Sequence, residues 1–94
     1  MSVRVGVDAG YHSQGANAVA VGHLAGWTHQ GTQSVAIGDS AGEYSQGANA
    51  VAVGIDAGAA EQGEFATAVG PLAGETEQST YGVAVGASAG AIKQ

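Results

Sequence analysis

The side chains able to do chemistry are few. His12, His23 and His29, with Asp8, Asp39, Glu43, Asp56, Glu61, Glu64, Glu75 and Glu77, are the whole stock of imidazoles and carboxylates, and there is no cysteine. Such groups make general acids, bases and metal ligands when the chain gathers them. The spacing does not gather them. There is no nucleophile motif, no phosphate-binding Gly-rich loop and no His-Glu-x-x-His pair. The Gly-Gly-x-Gly-x-Asp nonapeptide of calcium-binding β-rolls is also missing. No enzymatic activity, no metal site and no cofactor are expected, and the acids read as a solvated surface.

The aromatic residues remain. Tyr11, Trp27 and Tyr44 lie early in the chain, Phe65 and Tyr81 later. Large amphipathic rings are typical of binding hot spots. Tyr11, Trp27 and Tyr44 are therefore the candidate contacts to a glycan or protein receptor. Shielding a sheet or meeting a neighbouring chain is the other reading of the same rings. Tyr11 and Trp27 are 16 residues apart, as are Phe65 and Tyr81, so each pair is expected to stack.

That spacing is the period of the whole chain. Val3-Arg4-Val5-Gly6 returns as Val19-Ala20-Val21-Gly22, Val35-Ala36-Ile37-Gly38, Val51-Ala52-Val53-Gly54, Thr67-Ala68-Val69-Gly70 and Val83-Ala84-Val85-Gly86, always 16 residues on. An Ala-Gly pair follows in every repeat, ending at Gly10, Gly26, Gly42, Gly58, Gly74 and Gly90. A glutamine column runs through Gln14, Gln30, Gln46, Gln62, Gln78 and Gln94. Of the 17 glycines, only Gly82 lies outside the three columns that glycine forms, so glycine is architectural here. Fixed periods of this length mark solenoids.

Alternating Val-Ala-Val is a strand pattern, and β-branched residues suit it. Helix is disfavoured, since each interior glycine costs about 1 kcal/mol against alanine. The chain is expected to be all-β: a parallel β-solenoid of about six 16-residue coils, with residues 1–94 as one repeat segment. Stacked coils bring equivalent residues ~4.8 Å apart. Val19, Val21, Val35, Ile37, Val51, Val53, Val69, Val83 and Val85 are expected to fill the coil core. Gly22, Gly26, Gly38, Gly42, Gly54, Gly58, Gly70 and Gly74 are expected at turns that need positive φ or close backbone approach. Pro71 falls just after a column glycine, where a backbone N–H is not needed. Ala20, Ala36, Ala52, Ala68 and Ala84 lie on the other strand face. So uniform a face reads as a trimer seam, with packing inside the same coil as the alternative. Gln14, Gln30, Gln46, Gln62 and Gln78 are expected to form an amide ladder along the stack.

Composition narrows the partners. The formal charge is −6, with Arg4 and Lys93 the only basic side chains besides histidine. That excludes a basic nucleic-acid surface and docking on anionic lipid. No apolar run approaches the about 20 residues of a membrane span, so no membrane insertion is expected. The chain opens and closes part-way through a repeat and shows no polar cap, which reads as part of a longer fibre.

Asn17-Ala-Val-Ala-Val-Gly22, Asn49-Ala-Val-Ala-Val-Gly54 and Ser34-Val-Ala-Ile-Gly38 resemble the Asn-Ser-Val-Ala-Ile-Gly motif of YadA-like heads of trimeric autotransporter adhesins. The family repeat is shorter. The extra residues here lie between the Ala-Gly and Gln-Gly pairs, and repeats of that kind are similar to segments of phage and viral fibres. The resemblance implies a left-handed β-roll, a homotrimer and a role in attachment. The expected function is a structural or adhesive segment of a surface or tail fibre, extracellular, on a bacterial surface or a virion. A passive spacer or self-assembling filament unit is the alternative.

Overall fold

Val and Ala at successive positions set up three residues of extended chain, and the glycine that follows turns the backbone away. In the computed structural model, which describes residues 2–90, this happens six times, with Arg4 in place of the alanine in the first strand. The strands are β1 (Val3–Val5), β2 (Val19–Val21), β3 (Val35–Ile37), β4 (Val51–Val53), β5 (Thr67–Val69) and β6 (Val83–Val85). They form one parallel sheet in chain order. Val19 pairs with Val35, Ala20 with Ala36 and Val21 with Ile37, and the same register holds at every step. The chain is a β-solenoid. A second, one-residue ladder joins His12, Thr28, Tyr44, Ala60 and Thr76. The molecule measures 29 × 20 × 14 Å.

Backbone hydrogen bonds run mostly from coil to coil. Gly26 N donates to Ala41 O of the next coil at 2.8 Å, and Gly22 N to Val5 O of the previous one at 2.7 Å. Turns close within each coil, as where Ala25 N donates to Gly22 O at 3.2 Å. Pro71 sits in a column (His23, Asp39, Ile55) whose carbonyls accept from the next coil, so its missing N–H costs no ladder bond.

The strand faces are the reverse of the sequence expectation. Ala20, Ala36, Ala52 and Ala68 are 0% exposed and Ala84 is 2% exposed. They pack inside their own coil against Ala9, Ala25, Ala41, Ala57 and Ala73, so they are the core and not a trimer seam. The residues expected in the core face outward. Val19, Val21, Val35, Val51, Val53 and Val69 are half-buried, and Ile37, Val83 and Val85 are exposed. The reason is width. A methyl group placed on Gly26 would stand 2.7 Å from the Gln30 side-chain amide. An interior already full of alanine and glutamine has no room for valine, and overpacking is destabilising.

Candidate binding surface

The turns put the side chains in rows. Gly22, Gly38, Gly54 and Gly70 have φ between 122° and 126°, and Gly26, Gly42, Gly58 and Gly74 between 52° and 54°. At Gly54 the requirement is also spatial, since a Cβ there would lie 2.7 Å from the carbonyl carbon of Gly70.

Three further columns adopt positive φ without glycine. They run through Asp8, Leu24, Ser40, Asp56 and Leu72, through Ser13, His29, Ser45, Glu61 and Glu77, and through Asn17, Gln33, Asn49, Phe65 and Tyr81. Sequence reasoning missed these corners. Asn17, Asn49 and Asp8 carried a signal, because Asn and Asp tolerate this conformation. Leu24, Leu72, Phe65 and Tyr81 carried none.

Inside, the glutamines do two jobs. Gln30, Gln46, Gln62 and Gln78 are 2% exposed. Each donates through Nε2 to a strand carbonyl of its own coil at 2.7 Å, Gln30 to Val19 and Gln46 to Val35, for example. Gln46 also donates to Gln62 Oε1 at 3.1 Å, and Gln62 to Gln78 Oε1 at 3.0 Å. The amide-to-amide ladder does not reach Gln30, and the Oε1 atoms of Gln30 and Gln46 have no partner. Gln14, in the first coil, donates to Val3 O at 2.9 Å. Ser34, buried at the position that Ala18, Ala50 and Ala66 hold in their coils, donates its hydroxyl to Gly31 O at 2.7 Å.

Outside, the aromatic residues form two groups. Tyr11 meets His12 edge-on at 4.4 Å, His12 meets Trp27 at 5.7 Å, and Trp27 meets Tyr44 at 5.7 Å. The expected stack of Tyr11 on Trp27 is thus replaced by a relay through His12, which sits one residue along on the second ladder. Phe65 and Tyr81 do stack, at 5.2 Å and 8° between planes. Tyr11 is 59% and Tyr44 46% exposed, whereas Trp27 is half-buried and its Nε1 is buried with no hydrogen-bond partner. The Glu43 carboxylate beside Tyr44 raises the pKa of its phenol, with smaller contributions from desolvation and a hydrogen bond to Glu43. Tyr11 and Tyr44 are thus exposed on either side of a half-buried Trp27.

The other titratable residues stay apart. His23 Nδ1 and Asp39 Oδ1 approach to 3.5 Å on the exposed surface. Among the described residues no three of the His, Asp and Glu side chains converge as a metal site would require. Comparison with family models, curated proteins and solved structures gives no match to this chain.

Proposed function

We propose that this chain is a structural and adhesive segment of an extracellular trimeric fibre, on a bacterial surface or a virion. In this reading three copies associate side by side through the valine face, and the Tyr11–Trp27–Tyr44 row is displayed for attachment to a host glycan or protein. One observation carries the reading: the parallel sheet presents a continuous row of Val19, Val21, Val35, Ile37, Val51 and Val53 to the outside. Contiguous apolar surface of this kind marks association sites. The seam moves from the alanines, which the coil itself consumes, to the valines. Threefold closure is supplied by the resemblance to adhesin heads. In a trimer the aromatic row appears three times, so weak contacts gain by avidity against a multivalent target.

The test has two readouts. Sedimentation equilibrium on the wild-type chain should give three times the 9.0 kDa chain mass, and Val53→Glu should give a folded monomer. A wild-type monomer removes the trimeric fibre. In the trimer, Trp27→Ala should lower binding to host cells or a glycan array at an unchanged melting point. Unchanged binding would leave a passive spacer in its place.

A further inference from the structure

One carboxylate stands among the aromatic residues. Glu43 follows Trp27 in the same column, 16 residues on. The backbone fixes that register: His12 N donates to Trp27 O at 2.8 Å, and Thr28 N to Glu43 O at 2.9 Å. Equivalent positions of adjacent coils are ~4.8 Å apart, so Glu43 is the indole's neighbour along the stack. Tyr44, next in sequence, meets the indole at 5.7 Å with 67° between the rings, and its hydroxyl donates to the Glu43 carboxylate. Trp27, Glu43 and Tyr44 therefore share one patch in the middle of the solenoid.

What the patch offers a ligand is one-sided. Trp27 Nε1 is buried, so the indole presents carbon and π surface and no donor. The hydroxyl hydrogen of Tyr44 is spent on Glu43. Glu43 is half-buried, and a carboxylate only accepts. It has no cationic partner: among the described residues the one ion pair joins His23 and Asp39, and no Lys or Arg occurs between residues 5 and 92. Ring faces and carboxylate both attract a cation. A formal charge of −6 favours the approach of cations and opposes that of anions. A neutral sugar asks for donors as well as acceptors around its hydroxyls, and these three groups have no donor to spare.

We infer that the Trp27–Glu43–Tyr44 patch takes the ammonium group of a lysine side chain on a protein receptor. The inference rests on the reading of the aromatic row as an attachment surface, and within it chooses protein over glycan. The ammonium donates to the Glu43 carboxylate and lies against the π surface of Trp27 and Tyr44, while its methylene stem packs on the rings. Two rings inclined at 67° suit a compact ammonium better than a planar guanidinium, which stacks on one flat face.

Trp27 is the chain's only tryptophan, so its emission reports on this patch. The 94-residue chain is titrated at pH 8 with an end-blocked hexalysine peptide. Wild-type emission should change saturably, and end-blocked hexaglutamate and methyl glucoside should leave it unchanged. Glu43→Gln should weaken hexalysine binding about three- to fivefold, and Tyr44→Leu about threefold. Glu64→Gln removes the same charge from an exposed corner and should weaken it by less than about 1.5-fold, because a distant exposed charge is screened. The inference is overturned if hexalysine gives no saturable change, if Glu43→Gln binds as Glu64→Gln does, or if methyl glucoside binds in place of the peptide. All three groups lie on one chain, so the titration does not depend on lateral association. A failed trimer, read by sedimentation, and a failed lysine site are therefore told apart.

Discussion

Gln62 Nε2 stands between two acceptors inside the solenoid, 3.0 Å from Gln78 Oε1 one coil on and 2.7 Å from Val51 O in its own coil. One amide therefore ties a strand to the facing wall and one coil to the next. The first bond is buried and the second part-buried, and away from water an abandoned acceptor costs about 1–3 kcal/mol.

Gln62→Leu keeps the size and removes the donor. It should lower stability by about 2–4 kcal/mol, because the Val51 carbonyl and Gln78 Oε1 each lose the hydrogen bond from Gln62 and Gln46 Nε2 loses its acceptor on Gln62. Gln14→Leu makes the same change at a partly solvated end, where water replaces the lost bond, and should cost about 1 kcal/mol or less. Urea unfolding monitored by circular dichroism distinguishes the two. Equal losses would mean that the buried ladder contributes nothing of its own.

Gly54→Val and Glu64→Val separate architecture from surface. Gly54 has φ 126° and no space for a Cβ against Gly70. Strain of this kind costs about 1–3 kcal/mol before the overlap is counted, so Gly54→Val should unfold the central coils. Glu64 is exposed at a corner, and its replacement should stay within about 0.5 kcal/mol. Thermal melts of the two variants give the comparison.

Ala52→Lys tests which face is inside. Ala52 is 0% exposed and packs within its own coil. An ammonium forced there is uncompensated and should cost about 3–5 kcal/mol. The loss should appear as unfolding of the single chain. A folded monomer that merely fails to associate would return the alanine face to the surface.

Tyr44 and Glu43 give a pH-dependent signal. The Glu43 charge opposes ionisation of the phenol, so the folded-state pKa lies above the ordinary 10.0. A raised acid pKa favours the protonated form in the fold. Any stability it brings is present below the unfolded pKa and is lost as pH rises through the folded one. Ultraviolet titration of the phenolate should show Glu43→Gln moving Tyr44 back toward its ordinary value. No movement would mean that Glu43 does not act on Tyr44.

The period, the strand positions and the pairing register are all legible in the order of the residues. Val19 over Val35 over Val51 follows from counting, because a parallel stack of equal coils leaves equivalent residues no other neighbours. That order also separated valines from alanines onto opposite faces, since strand side chains alternate. It did not determine which face is inside. That was decided by the width of the coil, which depends on corners at Leu24, Phe65 and Tyr81 whose residue types give no sign of positive φ. With those corners in place the interior takes a methyl group and an amide. Alanine and glutamine go in, and the bulkier valines are left on the surface, available to a partner. The aromatic row shows the same division. Its residues were legible one by one, but the relay through His12 needed the second ladder, which brings His12, Thr28 and Tyr44 into line across three coils.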